Sequence, residues 1–382
     1  MIPYGRQIIS DADIRAVTDV LKSDYLTQGP VVQRFEKSVA ARVGARHAVA
    51  VNSATSALHI ACLALDLGPG DILWTSPITF VASANCGRYC GADVDFVDID
   101  PEMFNICPDA LERKLRRAQE DSRLPKIIVA VHMCGQSPDM VRINELARKY
   151  GVRVIEDASH AIGADYLGKP VGNCSHSDIT VFSFHPVKII TTAEGSIALT
   201  NDAEIAERME RLRSHGITRD PTQMTHTPDG PWYYQQLELG WNYRMNEMQA
   251  ALGLSQMDQL DAFIARRRDL ADAYDTALAR LPLRRPSRLT GAASSWHLYV
   301  IRLEDETRHR NAFEALRDKG VGVNLHYIPV HLQPYYQALG FNPGDFPLAE
   351  DYYMRAISIP LYAGLTDEQQ QQVVSAISEV LA

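Results

Sequence analysis

The sequence lacks the features that mark several specialised classes of protein. Its first residues, MIPYGRQIISDAD, contain no basic segment followed by an apolar run, and no apolar run approaches the length of a membrane span. We therefore expect neither a signal peptide nor a transmembrane helix. The phosphate-binding pattern GxxxxGK[ST] is absent, and no GxGxxG pattern follows a predicted strand. The sequence therefore excludes a P-loop and disfavours a nicotinamide-dependent dehydrogenase.

The sequence also lacks an excess of positive charge and any recognisable cysteine motif. Its formal net charge is -9, which argues against a dedicated nucleic-acid or membrane-surface protein but leaves room for a small anionic substrate at a local basic site. The six cysteines are scattered, without a C-x-x-C pair or a histidine cluster. We therefore favour reduced thiols in a cytoplasmic protein over disulfides or zinc, and we expect no metal.

What the chain does contain is an alternation of short apolar strands and amphipathic helices. With 382 residues, of which 46% are hydrophobic, it is long enough to bury a large core. The predicted strands are HAVAV (47–51), ILWT (72–75), VDFV (94–97), KIIVAVH (126–132), VRVIED (152–157), ITVFSF (179–184) and GSIALT (195–200). This alternation predicts an α/β fold with a mostly parallel central sheet and helices on both faces.

The pattern changes after Asn201. A polar stretch at 217–236 is too long for a plain connection, which indicates a functional segment. Farther on, the segments HLYVIRL (297–303) and GVNLHYI (322–328), with helices near 308–319 and 366–381, indicate a smaller α+β unit. We therefore predict a large domain over residues 1–255, including an N-terminal helical segment, and a small domain over 256–382.

In an open α/β sheet, ligands bind beyond the carboxyl ends of the strands, so the residues that follow each strand are the candidates for a site. After the first strand, Asn52-Ser53-Ala54-Thr55-Ser56 opens a helix with small and hydroxyl side chains. This favours phosphate binding by the first helical N–H groups. The same residues also fit an ordinary helix cap.

Asp157 ends the strand 152–157, and His160 follows three residues later. A carboxylate at the end of an apolar strand needs a cationic or donor partner. It could stabilise a protonated ring nitrogen, as the pyridinium of pyridoxal phosphate requires, or it could cap the next segment. His160 could contact the same cofactor, orient Asp157, or be a structural histidine.

Ser183 and Lys188 follow the strand 179–184, within FSFHPVKIITTAEG. The serine hydroxyl could reach a phosphate, and five residues are enough for the chain to turn the lysine back into the same crevice. Burial lowers the pKa of a lysine, and the neutral amine is a nucleophile towards aldehydes. Apolar flanks, together with Asp157 one strand earlier, favour a catalytic lysine over a surface one.

These segments carry a family resemblance. NSATSAL (52–58), SPITFVASAN (76–85), EDASHAIG (156–163), SFHPVKIITTAEG (183–195), RSHGI (213–217) and NYRMNEMQAALG (242–253) resemble sugar aminotransferases of the DegT/DnrJ/EryC/StrS type. The resemblance covers essentially the whole chain. It implies the aspartate-aminotransferase fold (fold type I of pyridoxal phosphate enzymes) and pyridoxal 5'-phosphate as the cofactor.

The resemblance also implies a role for each candidate residue. Lys188 would carry the cofactor as a Schiff base, and Asp157 would pair with its ring nitrogen. The remaining cofactor contacts would be Ala54, Thr55, Phe80, His160, Ser183 and, from the neighbouring subunit of a homodimer, Asn242, with Arg244 as a further anion contact. The nucleotide sugar would contact Tyr4, Tyr25, Leu26, Thr27, His326, Tyr327 and Ile328.

The implied reaction moves the amino group of L-glutamate to C4 of a UDP-linked 4-keto-6-deoxy-N-acetyl hexose, as in pseudaminic acid biosynthesis. The sequence departs from the family pattern at Ser196, where relatives have glycine, so we expect a slightly perturbed loop if this position needs a positive φ. Three rival functions stay open: a pyridoxal phosphate enzyme with a different product, a non-catalytic nucleotide-sugar sensor, and a nicotinamide-dependent sugar oxidoreductase.

Overall fold

The computed structural model describes residues 1–381 and is built around a seven-stranded sheet. The strands are β1 (His47–Val51), β2 (Ile72–Thr75), β3 (Asp93–Phe96), β4 (Ile127–Val131), β5 (Arg153–Asp157), β8 (Ile179–Ser183) and β9 (Ser196–Thr200). Their order in the sheet is β1-β9-β8-β5-β4-β2-β3. Strands β3, β2, β4, β5 and β8 run parallel to one another, whereas β9 runs antiparallel to both β8 and β1. The prediction of a mostly parallel sheet is thereby confirmed.

Helices cover both faces of this sheet, as predicted. The helices are α1 (Asp11–Leu21), α2 (Pro30–Val43), α3 (Ala54–Ala64), α4 (Ala82–Tyr89), α5 (Pro108–Glu120), α6 (Met140–Tyr150), α7 (Ala203–Leu212), α8 (Glu247–Met257), α9 (Leu260–Ala277), α10 (His309–Asp318), α11 (Pro334–Gln337), α12 (Pro347–Arg355) and α13 (Asp367–Leu381). The pleat of β4 sends Val129 into the core beneath α3 and α4, and Ile128 into the core beneath α5 and α6. Both residues are fully buried, as a strand covered on two faces requires.

Local capping explains where several helices begin and end. Ser10 accepts a hydrogen bond from the Asp13 N–H and its own N–H donates to the Asp13 carboxylate, which together form a capping box. The Asp139 side chain accepts from the Arg142 N–H at the start of α6, and Gly151 ends that helix at φ +69°.

A second sheet lies in the C-terminal part of the chain. It contains β12 (Leu283–Arg284), β14 (Tyr299–Leu303) and β15 (Ala356–Ile359), which pair antiparallel, and α10 and α13 pack against each other beside it. The prediction that 322–328 contributes a strand to this unit was wrong, because the segment forms no regular strand. It makes one bridge, between Asn324 and Ser358, and its residues His326 and Tyr327 line the cavity described below.

Short paired segments complete the chain. β6 (Asp165–Tyr166) pairs with β7 (Lys169–Pro170) and with β13 (Ala292–Ala293), and β10 (Ile217–Thr218) pairs with β11 (Gln235–Gln236) at the two ends of the polar stretch 217–236. The predicted division at 255/256 stays a prediction. The point 255/256 lies inside α8. The last residue of the predicted small domain, Ala382, lies outside the described residues.

Ser196 shows how the chain accommodates its departure from the family pattern. It is the first residue of β9, fully buried, and its hydroxyl donates to the Phe182 carbonyl at 2.5 Å. The positive φ values of this loop are at Ala193 (+65°) and Gly195 (+158°) instead. Ser196 itself has no positive φ, so the strain that we expected at this position does not arise. Among residues 1–381, no helix has the length and apolar character needed to cross a membrane.

Candidate active site

A cavity of about 660 Å³ lies at the carboxyl ends of the parallel strands. Its wall is formed by the first turn of α3, the segment between β2 and α4, the ends of β5 and β8, and the irregular segment around His326. The position agrees with the rule that open α/β sheets bind ligands beyond their strand ends.

Lys188 stands on the wall of this cavity, in the turn that follows β8. Its N–H donates to the His185 carbonyl at 2.9 Å, which fixes the backbone of the turn. The side chain is half-buried. Burial lowers the pKa of its ammonium to about 8, and the negative charge of Asp157 only partly opposes this effect. The structure therefore gives Lys188 an amine that loses its proton more readily than that of an ordinary lysine.

Asp157 is the last residue of β5 and is 6% exposed. One carboxylate oxygen, Oδ2, accepts a hydrogen bond from the Ser83 hydroxyl at 2.6 Å, and Oδ1 accepts from the N–H and the hydroxyl of Ser159. Ser83 is in turn within 2.7 Å of the Thr79 hydroxyl. These donors hold the carboxylate of Asp157, which lines the cavity, in one orientation.

The first turn of α3 presents backbone N–H groups to the same cavity. Ser53 caps the helix by accepting from the Ser56 N–H at 3.1 Å, and the Ser56 hydroxyl donates to Asn52 Oδ1 at 2.7 Å. These hydroxyls are engaged with one another, whereas the N–H groups of Ala54 and Thr55 have no acceptor within residues 1–381. The cap and the phosphate site are therefore compatible, because different groups serve each role.

His160 lies deeper in the cavity wall, beside a second histidine. Its Nε2 is 3.2 Å from the Tyr327 hydroxyl, and its ring centroid is 4.3 Å from that of His297. Nδ1 of each imidazole is buried without a hydrogen-bond partner in the described chain. Burial, reinforced by the positive charge of Lys188, lowers the pKa of both rings well below the usual value, so both are neutral at physiological pH.

Five further candidates line the cavity: Tyr4, Phe80, Ser183, His326 and Tyr327. Ser183 ends β8 with its side chain 6% exposed, whereas the Phe80 ring is 58% exposed and 6.2 Å from the Tyr327 ring. Tyr4 and His326 contribute rings 5.3 Å apart. His326 is anchored by Ser358, whose hydroxyl lies 2.8 Å from Nδ1.

The remaining candidates do not line the cavity within one chain. They are Tyr25, Leu26, Thr27, Asn242, Arg244 and Ile328. Arg244 borders a separate surface depression with Ser214, to which its guanidinium donates at 3.0 Å. Tyr25, Leu26, Asn242 and Ile328 are exposed. A single chain therefore gathers the residues predicted for the cofactor, except Asn242, and about half of those predicted for the sugar nucleotide.

Three residues of the site were missed by the sequence reasoning: Ser83, Ser159 and His297. Ser159 could have been found, because a serine two residues after an aspartate commonly bonds back to its carboxylate. Ser83 lies on α4 and His297 just before β14, and both reach the site only through tertiary packing. No local pattern marks them.

The site fits a compact aromatic aldehyde that carries a phosphate. Unpaired N–H groups at a helix start suit the phosphate, a buried carboxyl group suits a ring nitrogen, and an amine with a lowered pKa suits the aldehyde. The lowered pKa of Lys188 and the unpaired N–H groups of Ala54 and Thr55 are the observations that carry this fit.

Comparison with known proteins agrees with this geometry. The fold, the site and the similarities define a pyridoxal-phosphate-dependent sugar aminotransferase, of the aspartate-aminotransferase-like fold class. The chain belongs to the DegT/DnrJ/EryC1/StrS aminotransferase family, whose model matches residues 7–378. The predicted family, fold class and cofactor are thereby confirmed.

Three relatives illustrate the similarity. The chain is 39% identical to the spore coat polysaccharide biosynthesis protein SpsC of Bacillus subtilis, over 100% of this chain and 97% of that one. It is 36% identical to the UDP-4-amino-4,6-dideoxy-N-acetyl-beta-L-altrosamine transaminase of Campylobacter jejuni, over 100% and 98%. The solved structure of Helicobacter pylori PseC, an aminotransferase of pseudoaminic acid biosynthesis, superposes with a TM-score of 0.91 at 33% identity, covering 100% and 99%.

Proposed function

We propose that this protein transfers the amino group of L-glutamate to C4 of a UDP-linked 4-keto-6-deoxy-N-acetyl hexose. Its similarity to a transaminase of that sugar class, over nearly the whole of both chains, supports this substrate class. The observation that carries the chemistry is the placement of Lys188 and Asp157 on one cavity wall, with the lysine pKa lowered to about 8.

We assign the cofactor contacts from this geometry. The N–H groups of Ala54 and Thr55 and the hydroxyl of Ser183 would bind the phosphate, since all three residues line the cavity and the two N–H groups have no acceptor in the described chain. Phe80 would cover one face of the cofactor ring. Its side chain lines the cavity and is highly exposed, which suits an aromatic ring that packs against a bound ligand. His160 hydrogen-bonds the ring substituents from the depth of the cavity.

The bound cofactor supplies an electron sink and an aldehyde that accepts and releases the amino group. Asp157 would pair with the ring nitrogen of the bound cofactor, since Ser83 and Ser159 hold its carboxylate in place. Lys188 would hold the cofactor through Nζ, and once released, Nζ would accept a proton from the bound amino acid and give a proton back in the second half-reaction. A pKa near 8 suits both directions, because the amine is then a competent base and its ammonium a competent acid.

On the sugar side, we assign contacts to Tyr4, His326 and Tyr327, whose side chains line the cavity. Burial raises the pKa of Tyr327 and lowers that of His326 to about 4, so both are neutral and act as hydrogen-bonding groups. We include Ile328 and the segment Tyr25-Leu26-Thr27 as contacts of the nucleotide that come together only when the substrate or a second subunit is present.

We propose a homodimer with two composite sites. The exposed Asn242 would reach the cofactor phosphate of the neighbouring protomer, and Arg244 would approach the same anion. Large apolar side chains close to Asn242 in the sequence are exposed, such as Leu239 at 73%. This exposure supports a contact between subunits. The six cysteines are all free, which is in keeping with a cytoplasmic location.

Incubation of the holoenzyme with L-glutamate and a panel of keto-sugar nucleotides, followed by NMR of the product, tests the proposal. We expect an amine at C4 of a UDP-linked 6-deoxy sugar, and we expect Lys188→Ala and Lys188→Arg to abolish it while the fold is retained. An amine at another carbon or a dehydrated sugar would assign a different reaction to the same site. Near-wild-type turnover by either lysine variant would overturn the mechanism.

Two controls distinguish this enzyme from a nucleotide-sugar sensor and from a sugar oxidoreductase. A sensor would bind the sugar without releasing 2-oxoglutarate from glutamate, and it would not become covalently labelled at Lys188 on borohydride treatment. A nicotinamide-dependent oxidoreductase would oxidise the reduced nicotinamide in the presence of the keto sugar.

A further inference from the structure

His297 lines the cavity of the active site but has no role in the proposed function. It lies two residues before β14, in the C-terminal part of the chain, and is 4% exposed. Its ring centroid is 4.3 Å from that of His160, and the two ring planes are tilted by 43°. The C-terminal part of the chain thus places an aromatic side chain directly against a residue that we assign to the cofactor.

The backbone that carries His297 is strained. Trp296 has φ +52°, a left-handed conformation that is an outlier for a bulky residue and persists only where other contacts enforce it. The Ser294 hydroxyl accepts a hydrogen bond from the Trp296 N–H at 3.0 Å. The buried guanidinium of Arg267 donates to the carbonyls of Trp296, at 3.1 Å, and His297, at 3.3 Å. These contacts fix the direction in which the His297 side chain leaves the backbone.

A second tight turn, at 133–135 after β4, joins this segment to the large sheet. The His297 N–H donates to the Cys134 carbonyl at 2.9 Å, and the Ser295 N–H donates to the Gly135 carbonyl at 3.0 Å. Gly135 has φ +94°, and a Cβ at this position would overlap the Ser295 hydroxyl. The two backbones therefore approach so closely that a side chain at Gly135 would not fit.

The same segment holds the backbone of His160. The Ser295 hydroxyl donates to the His160 carbonyl at 2.7 Å. The His160 ring has one hydrogen-bonding neighbour, since its Nε2 is 3.2 Å from the Tyr327 hydroxyl and its Nδ1 has no partner among residues 1–381. The χ2 angle of a histidine has broad minima, so one hydrogen bond alone would let this ring pivot. Contact with the His297 ring supplies the second restraint.

The two imidazoles can pack closely because neither carries a charge. Burial lowers the pKa of each ring well below the usual value, and the positive charge of Lys188 adds to this effect. A tilted arrangement of neutral aromatic rings is favourable. The Nδ1 atom of His297 is buried without a hydrogen-bond partner in the described chain, so packing is the contact by which its ring restrains His160.

We propose that His297 is a positioning residue for the transamination, whose ring holds the imidazole of His160 in the orientation that contacts the cofactor. This inference rests on the proposed function, because it requires pyridoxal phosphate in the cavity. His297 acts through His160, so the loss of the His297 ring should affect cofactor binding only while the His160 imidazole is present.

A double-mutant cycle on cofactor affinity tests the proposal. Pyridoxal 5'-phosphate is titrated into the cofactor-free full-length wild type, His297→Ala, His160→Ala and the double variant, and the Kd is obtained from the absorbance change. We expect His297→Ala to weaken binding about tenfold in the wild-type background and less than about twofold in the His160→Ala background, because two residues that act through one contact are not additive. A residue that only supports the fold would weaken binding equally in both backgrounds.

Two further variants separate packing from other effects. His297→Phe keeps an aromatic ring without polar atoms and should bind the cofactor almost as tightly as wild type. His331→Ala is the matched control, because His331 is also a buried histidine, lies 2.9 Å from Glu350 and does not line the cavity. It should lower the urea midpoint of unfolding and leave the Kd of the cofactor unchanged.

The outcomes distinguish this inference from the proposed function. Equal weakening by His297→Ala in both backgrounds would overturn the inference alone, as would a His297→Phe or His331→Ala variant that binds the cofactor as poorly as His297→Ala. A wild-type protein that binds no pyridoxal phosphate, or that borohydride does not label at Lys188, would overturn the proposed function and the inference together.

Discussion

Replacing Lys188 with methionine should stabilise the cofactor-free protein, although it removes the residue to which we assign the chemistry. Folding lowers the pKa of this amine from an ordinary 10.5 to about 8, because the folded protein surrounds the ammonium with poorly solvating atoms. Each tenfold change in proton affinity is worth about 1.4 kcal/mol, so the charged lysine costs the folded state about 3 kcal/mol near pH 7. Methionine has a similar length and no charge to desolvate.

The pH dependence gives this prediction its sign. Below the folded pKa of about 8, the lysine is charged in both states and the full cost applies. As the pH rises from 8 towards 10.5, the folded protein releases the proton while the unfolded chain keeps it, and the cost disappears. The advantage of Lys188→Met in free energy of unfolding should therefore fall from about 3 kcal/mol at pH 7 to about 1 kcal/mol at pH 9.5.

Urea unfolding of the cofactor-free wild type and variant, at one protomer concentration and at both pH values, measures this difference. Lys22→Met, at an exposed lysine, is the matched control and should show no pH-dependent gain. A variant that is no more stable than wild type at pH 7, or equally more stable at both pH values, would refute the argument that desolvation of the ammonium tunes this residue.

Three other substitutions test separate parts of the structure. Ser83→Ala removes the 2.6 Å hydrogen bond to Asp157. Cofactor binding, measured by fluorescence titration, should therefore weaken about tenfold or more, as expected for the loss of one bond to a charged group. Unchanged affinity would contradict the assignment of Asp157 as a cofactor contact held by Ser83. Glu247→Gln should lower the free energy of unfolding by about 1–3 kcal/mol. The buried carboxylate of Glu247 accepts the N–H groups of Gly29, Val31 and Val32 at the start of α2, and an amide cannot accept all three. Glu120→Gln, at a surface position, is the control. Gly216→Ala should speed proteolysis of the stretch 217–236. The added Cβ would lie 1.9 Å from the Glu238 carbonyl oxygen, so it would break the β10–β11 pairing that closes this loop. A cleavage rate equal to that of wild type would show that this pairing does not hold the loop.

The sequence predicted the part of the site that depends on strand ends. Asp157 and Ser183 finish neighbouring parallel strands, so their side chains had to emerge at one edge of the sheet. The helix start at Ala54 was equally visible, because strand β1 leads directly into α3. These features follow from local periodicity and one topological rule, and neither requires knowledge of distant contacts.

Features that depend on tertiary packing could not be predicted in this way. His297 meets His160 only because β14 packs beside the large sheet, which no pattern near either residue encodes. The segment 322–328 was misread because alternating apolar residues fit an irregular path against a cavity as well as they fit a strand. Asn242 is exposed and does not line the cavity of its own chain, so the role that we propose for it requires a second subunit.

The antiparallel strand β9 explains how one lysine can be both firmly placed and mobile. Because β9 returns beside β8, the pair Ser183 and Ser196 closes the loop 184–195 at the edge of the sheet where the cavity lies. The loop is tied again by the Phe184 N–H to the Gly195 carbonyl at 2.9 Å and by the Thr192 N–H to the Phe184 carbonyl at 3.0 Å. The backbone of Lys188 is therefore fixed, whereas its ammonium forms no hydrogen bond or ion pair with any residue in 1–381. A fixed backbone with a free four-carbon side chain suits the role that we propose for Lys188, in which one amine holds the cofactor, leaves it, and carries a proton over a distance of a few bonds.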